Sequence, residues 1–142
     1  MGRILAVDYG RKRVGLAVTD PMQIVPHGLT TVRACDATDF ITKYVESESV
    51  EKVIIGLPRQ MSGELSESVN YIRPFANKLK ALVQVPVEFV DERFTSVLAH
   101  RTMLDAGLKK KDRQNKALVD EISATIILQS YLDNRTSVTE II

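Results

Sequence analysis

The sequence predicts a single α/β domain built on a mixed β-sheet. Three extended segments come first, and strand and helix patterns alternate from Thr38 onwards. A chain of 142 residues suits one domain, which is expected to bury roughly two-thirds of its unfolded surface. We place this domain at residues 1–133 and expect residues 134–142 to form a flexible C-terminal tail.

The first two extended segments predict a β-hairpin. Ile4–Val7 is continuously apolar, as in a strand buried on both faces, and Val14–Asp20 follows after a turn at Gly10. The third extended segment covers Ile24–Val32. Because proline cannot donate a ladder hydrogen bond, Pro26 favours an edge position for this strand.

The remaining elements follow from apolar spacing and from helix-ending residues. Strands are predicted over residues 53–58 and 85–90, and helices over residues 38–47, 66–82, 95–106 and 116–132. Pro74 predicts a kink or a boundary in the second helix, and Gly107 is expected to end the third.

Composition excludes several classes of protein. The hydrophobic fraction of 44% and charged fraction of 26% are ordinary for a soluble globular protein. Cys35 is the single cysteine, so no intrachain disulfide can form, and without an export signal we expect a cytoplasmic protein. His27 and His100 lack zinc-site spacing. No apolar run reaches the length of about 18 residues that indicates a membrane span.

Positive charge is clustered although the net charge is only +1. A net charge near zero neither supports nor excludes nucleic acid, because an acidic site can cancel a basic face. One cluster is Arg11–Arg13, and the other is Lys109–Lys111 with Arg113 and Lys116. Either cluster could be a solvated loop. We interpret the basic side chains as contacts for a nucleic-acid backbone; they are Arg11, Lys12, Arg13, Arg93, Lys109, Lys110, Lys111, Arg113 and Lys116.

Two acidic positions follow predicted strands. Asp8 ends the most apolar strand. Ligands of open α/β sheets bind beyond the carboxyl ends of the strands, which favours a functional role for Asp8. Alternatively, an aspartate shortly before Gly10 could simply form a turn. Asp91 and Glu92 follow the fifth strand and precede a helix. One of them can cap that helix while the other binds a metal ion; we favour Glu92 for the metal and keep Asp91 as the alternative.

Asp120 interrupts an apolar helical stripe formed by Ala117, Ala124, Ile127 and Tyr131. An uncompensated carboxylate in such a stripe costs several kcal/mol or takes up a proton. The alternative is an ion pair with Lys116 or Arg93. Three carboxylates within about 4–6 Å would repel one another. Mg²⁺ or Mn²⁺ would remove that repulsion, so Asp8, Glu92 and Asp120 predict a metal-dependent phosphodiester hydrolase.

Four segments carry a resemblance to a known family, in order: Asp8-Tyr9-Gly10-x-Lys12-Arg13-x-Gly15-x-Ala17-Val18-x-Asp20, Val53–Pro58, Asp91–Ser96 and Asp120–Ala124 with Ile127–Leu132. The chain resembles, from Ile4 to Leu132, the YqgF/RuvX family of Holliday-junction-resolvase-like nucleases, also described as nucleases of pre-16S ribosomal RNA.

The resemblance implies a ribonuclease H-like fold, with a five-stranded mixed sheet flanked by helices on both faces. It implies a cytoplasmic enzyme of ribosome biogenesis that trims the 5′ end of the small-subunit rRNA precursor. The family's acidic positions fall on Asp8, Glu92 and Asp120. We expect structured nucleic acid, foremost precursor rRNA, as partner and a monomer or weak homodimer as the acting form.

Three other functions remain open on the sequence. A nuclease for branched DNA would use the same acids, and would be expected to work as a symmetric dimer. A non-catalytic assembly factor would bind RNA through the basic loops alone. The Asp-x-Gly hairpin also resembles the phosphate loop of actin-like ATPases, but 142 residues leave no second lobe to close over ATP.

Overall fold

The computed structural model describes residues 2–57, 67–91 and 116–141. In these ranges the chain forms five strands and three helices. They are β1 Arg3–Tyr9, β2 Arg13–Thr19, β3 Pro26–Arg33, α1 Ala34–Ser47, β4 Val50–Leu57, α2 Val69–Leu82, β5 Val87–Asp91 and α3 Lys116–Ile141.

The five strands form one mixed sheet in the order β3-β2-β1-β4-β5. β1 pairs antiparallel with β2, and β2 with β3, which confirms the predicted hairpin. β1 and β4 are parallel, as are β4 and β5. β3 begins at Pro26 and is an edge strand, as predicted from that residue. The parallel pairing brings the carboxyl ends of β1, β4 and β5 to the same edge of the sheet.

Alternating side chains of the central strands enter two separate cores. Leu5 and Val7 of β1 belong to the larger core, which includes the apolar sides of α1 and α2. Ile4 and Ala6 belong to a smaller core on the opposite face, with Ala124, Ile127, Leu128 and Leu132 of α3. Helices therefore cover both faces of the sheet, as predicted.

Helix boundaries differ from the expected ones. α1 begins at Ala34 instead of Thr38, and Pro74 lies inside α2 without ending it. α3 runs to Ile141 instead of Leu132, because residues 133–141 contain no Gly or Pro to end it. The domain boundary at residue 133 and the flexibility of the tail stay predictions. The helix predicted over residues 95–106 lies outside the described residues.

Within the described ranges, no helix has both the length and the hydropathy needed to cross a lipid bilayer.

Candidate active site

Asp8 and Asp120 are brought to the same place by the contact between α3 and β2. Asp8 pairs with Gly15 across the hairpin. The backbone of Asp120 lies directly on Gly15: a Cβ atom at residue 15 would overlap the Asp120 carbonyl group and would lie 2.9 Å from the Asp120 Cβ. The absence of a side chain at Gly15 therefore allows α3 to approach the strand next to Asp8.

Further small and polar residues fix the start of α3 over β2 and β3. Thr31 on β3 donates a 2.7 Å hydrogen bond from Oγ1 to the carbonyl oxygen of Ala117. Gly28 on β3 faces Glu121, with 3.5 Å between the Glu121 Cβ and an ideal Cβ at residue 28. Ala17 on β2 is fully buried in the small core with Ala124. These contacts determine where the α3 backbone places Asp120.

Asp120 forms an ion pair with Arg13. The Arg13 Nε donates to the Asp120 Oδ2 at 2.8 Å, and the two side chains are 38% and 21% exposed. From the sequence, the alternative for Asp120 is an ion pair with Lys116 or Arg93, and Arg13 is predicted to contact nucleic acid. Arg13 takes this role because residues 13 and 15 point to the same face of β2, which is the face that α3 covers.

Asp8 lies in a less favourable environment for a carboxylate. Burial, and to a smaller extent the negative charge of Asp120, raise the pKa of its carboxyl group from 3.8 to about 6. Across the described part of the chain, no side chain or backbone N–H donates a hydrogen bond to this carboxylate, and it forms no ion pair. Asp8 is thus a partly buried acid that no described group compensates.

The two carboxylates open onto a cavity of about 440 Å³. Its lining combines the two acids, the basic turn of the hairpin and one aromatic ring: Asp8, Gly10, Arg11, Lys12, Arg13, Tyr71 and Asp120. Sequence reasoning missed Tyr71. It follows Val69 and precedes Ile72 on an amphipathic helix, where nothing in the sequence distinguishes a site residue from a core aromatic.

The donors present fit a divalent cation. Carboxylate oxygens are the ligands that Mg²⁺ and Mn²⁺ prefer, and a cation beside Asp8 would offset the cost of its burial. Asp120 uses Oδ2 for Arg13, and no described group bonds to its Oδ1. The ranges 2–57, 67–91 and 116–141 contain no cluster of three or more potential metal ligands. Glu92 lies outside them.

The other basic residues assigned from sequence are outside the described residues or are described by backbone alone. The first group consists of Arg93, Lys109, Lys110, Lys111 and Arg113. Lys116 belongs to the second group and is the first residue of α3. Asp91, the alternative to Glu92, ends β5 opposite Leu57 of β4. The structure therefore unites two of the three predicted acids with Arg11, Lys12 and Arg13, and the catalytic and binding roles stay predictions.

Comparison with known sequences identifies the family. A sequence model described as "RuvX: Holliday junction resolvase" matches residues 2–134. The chain belongs to the RuvX family. A relative from Bacteroides fragilis is 68% identical over 136 residues, which are 95% of this chain and 99% of the relative. A Phocaeicola vulgatus relative is 65% identical over 136 residues, covering 95% and 98%. Both carry the name "Putative pre-16S rRNA nuclease".

Solved structures place this RuvX chain in the ribonuclease H-like fold. Thermus thermophilus RuvC aligns with a TM-score of 0.56 at 16% identity, covering 95% of this chain and 96% of RuvC. RuvC in complex with a Holliday junction substrate aligns with a TM-score of 0.52 at 15% identity, covering 89% and 92%. The predictions of family and fold class are thereby confirmed. The RuvX family and its relatives are named as nucleases, that is, as phosphodiester hydrolases.

Proposed function

We propose that this protein is a divalent-metal-dependent nuclease that processes the 5′ end of pre-16S rRNA. The observation that carries the proposal is the meeting of Asp8 and Asp120 in one cavity beside the basic turn at residues 10–13. The names of the relatives, which describe nucleases of pre-16S rRNA, support the choice of substrate.

Asp8 and Asp120 would hold Mg²⁺ or Mn²⁺, and we assign Glu92 as a third ligand. Bound there, the cation would polarise the scissile phosphate and lower the pKa of an attacking water. Arg13 acts as a positioning residue, because its 2.8 Å bond to Oδ2 restricts the rotation of the Asp120 carboxylate and leaves Oδ1 for the metal. Arg13 also lowers the repulsion between the two acids.

Arg11 and Lys12 are exposed at the rim of the cavity, where they would contact phosphates on either side of the bond that is cleaved. Such contacts position the nucleic acid without reading its sequence. Substrate choice would then depend on the shape of the RNA. We expect the enzyme to act in the cytoplasm as a monomer or weak homodimer.

The test is cleavage of a precursor rRNA fragment that spans the mature 5′ end, with Mg²⁺, with Mn²⁺ and with EDTA. Asp8→Asn and Asp120→Asn are compared with Asp39→Asn, which removes an exposed carboxylate of α1 outside the cavity. We expect cleavage only with the cation, loss of cleavage in the first two variants and wild-type rates in the control. Wild-type rates in Asp8→Asn would refute the proposed site.

A second candidate function is the cleavage of branched DNA, which the description of the matching family favours. The same assay includes a four-way DNA junction as substrate. Metal-dependent cleavage of the junction in preference to the rRNA fragment would select this candidate. It would leave the roles of Asp8 and Asp120 unchanged, because both substrates are phosphodiesters.

A further inference from the structure

A second cavity lies between α1 and α2, next to the candidate active site. It measures about 400 Å³, a size typical of sites that bind small ligands. We call it the α1–α2 groove; the lining residues used below are Tyr9, Cys35, Tyr71 and Lys78. Tyr71 lines both cavities, so the groove begins where the candidate active site ends.

Two aromatic rings of the groove are held in place by the core beneath them. The Tyr9 ring stacks on Phe75, with 4.1 Å between the ring centroids and 23° between the ring planes. Phe75 is buried, while Tyr9 and Tyr71 are only partly buried. The Tyr71 ring lies 6.0 Å from that of Tyr9 at an angle of 44°. The groove thus presents rigid aromatic surface to solvent.

Cations accompany these rings. The Arg11 guanidinium carbon lies 4.9 Å from the centre of the Tyr71 ring, and Lys78 is exposed along the groove. In the part of the chain that the structure describes, neither cation forms an ion pair with a carboxylate. Both are available to an external anion, and the planar guanidinium suits phosphate in particular.

The groove and the active site are linked through backbone hydrogen bonds. The turn that carries Arg11 is closed by a 3.0 Å bond from the Gly10 N–H to the Arg13 carbonyl oxygen. The Ala34 N–H at the start of α1 donates to the Lys12 carbonyl oxygen at 2.9 Å. One wall of the groove is therefore fixed to the turn that borders Asp8.

We propose that the α1–α2 groove binds an unpaired nucleotide next to the phosphate that is cleaved. Its base stacks against Tyr71 and Tyr9, and Arg11 and Lys78 contact the adjoining phosphates. Aromatic rings can stack only with bases that a duplex leaves unstacked, so the substrate is structured nucleic acid with a single-stranded flank. This inference rests on the proposed nuclease function and adds the form of the substrate.

Binding is measured with the inactive Asp8→Asn protein and two probes, a blunt duplex and the same duplex with a short single-stranded extension. The extension should tighten binding. Tyr71→Leu should lose roughly 5- to 150-fold in affinity for the extended probe, the usual effect of removing a stacking ring, with little change for the blunt duplex. Tyr71→Phe should retain most of the affinity because it keeps the ring.

Lys78→Met and Lys80→Met form a matched pair on α2. Both lysines are exposed, but Lys80 lies outside the groove, with its Nζ 5.6 Å from the centre of the Phe89 ring. Loss of one phosphate contact should reduce the slope of log affinity against log salt by about 0.7 in Lys78→Met and leave it unchanged in Lys80→Met. RNA and DNA extensions are both tested, since stacking accepts either.

Cys35 provides a test that needs no change in the groove. It is exposed, lines the groove and is the single cysteine of the chain. The extended probe should slow alkylation of Cys35 by a small thiol reagent, and the blunt duplex should not. In the double variant Cys35→Ser, Lys80→Cys, the extended probe should leave alkylation unchanged.

Unaltered binding of the extended probe by Tyr71→Leu, or equal alkylation of Cys35 with both probes, would overturn the groove as a nucleotide site. Either result leaves the proposed nuclease site intact if Asp8→Asn still abolishes cleavage. Conversely, wild-type cleavage by Asp8→Asn would remove the assigned role of Asp8 alone, and the binding measurements would then be repeated in EDTA, where no cleavage is expected.

Discussion

Carboxylates at the two ends of the β1–β2 hairpin lie in opposite environments. At one end, Asp20 accepts hydrogen bonds from the backbone N–H groups of Met22, Ile24 and Val25 at 3.0, 2.8 and 2.7 Å. These bonds lower the pKa of Asp20. At the other end, burial and the charge of Asp120 raise the pKa of Asp8 to about 6, and no described donor compensates its charge.

The difference separates acids that the fold satisfies from the acid for which we propose a functional role. Glu51 belongs with Asp20, because the Gly2 N–H and the Gln23 side-chain amide donate to it and lower its pKa. Such acids stabilise the fold by accepting hydrogen bonds from neighbouring N–H groups. Where the pH exceeds the raised pKa of about 6, ionised Asp8 costs stability, and a bound cation would offset that cost.

The largest effect is expected for substitution of Asp8, which removes the difference between Asp8 and Asp20. Asp8→Asn should lower cleavage by at least about 100-fold, since changes even in groups that support metal ligands cost 10–100-fold. The same change should raise the free energy of unfolding of the metal-free protein at pH 7.5 by about 1–3 kcal/mol, because it removes an ionised acid whose pKa is shifted by burial.

Urea unfolding with EDTA measures the second effect. Asp20→Asn is the control, and it should lower the free energy of unfolding because the amide oxygen is a weaker acceptor for three N–H groups. Equal destabilisation by both substitutions would show that Asp8 is as well satisfied as Asp20.

A pH series tests the same difference between Asp8 and the acids Asp20 and Glu51. The pKa of Asp8 is higher in the folded protein, about 6, than its ordinary value of 3.8. The folded state therefore binds more protons than the unfolded state between these values, and the Asp8 contribution to stability is lost as pH rises through this window, by about 3 kcal/mol at most. The contributions of Asp20 and Glu51, whose pKa values are lowered, are lost as pH falls.

The measurement is the difference in unfolding free energy between wild type and Asp8→Asn from pH 4 to pH 7 in EDTA. The free energy of unfolding of Asp8→Asn should rise steadily relative to that of wild type as pH rises. Saturating Mg²⁺ or Mn²⁺ should reduce the change, because a cation that binds only the folded state favours ionised Asp8. A difference that does not vary with pH would contradict the assigned environment of Asp8.

Gly15 and Gly28 allow a test of how α3 brings Asp120 to Asp8. Gly15→Ala places a methyl group against the Asp120 backbone, and overpacking of this kind typically costs about 1–3 kcal/mol. It should also lower cleavage, because the start of α3 must move. Gly28→Ala makes only ordinary contacts at 3.5 Å or more and should stay within about 0.5 kcal/mol of wild type. Thermal unfolding and cleavage rates distinguish the two variants.

Among the substitutions of cavity-lining residues, the smallest expected effect on stability is at Arg13. The Arg13–Asp120 pair is partly exposed, so Arg13→Met should cost less than about 1 kcal/mol. Its effect on cleavage should be larger, since the Asp120 carboxylate would lose the bond that restricts its rotation. Comparison of unfolding free energies with cleavage rates checks this. Parallel losses in both would assign Arg13 a structural role alone.

Several of these features follow from local sequence. The apolar run before Asp8 predicts a central strand, Pro26 predicts an edge strand, and the carboxylate in the apolar stripe of α3 identifies Asp120. Each prediction uses residues close together in the chain, whose periodicity is set by the helix or strand that contains them.

Other features depend on how the elements cross, and sequence periodicity carries no information about that. The Arg13–Asp120 pair joins residues 107 positions apart, and it forms because α3 crosses β2 at Gly15. Tyr71 borders the cavity only because α2 lies beside the hairpin turn. The early start of α1 at Ala34 accompanies a bond from its N–H to Lys12, which a local pattern also cannot predict.

The contact of α3 with Gly15 has a consequence for synthesis of the protein. Asp8 leaves the ribosome well before Asp120, because the chain is synthesised from its amino end. A nascent chain without α3 contains Asp8 but not Asp120, and so has only half of the acidic pair. An enzyme whose proposed substrate is a precursor of the ribosome would thus gain its activity only after its own α3 has been synthesised.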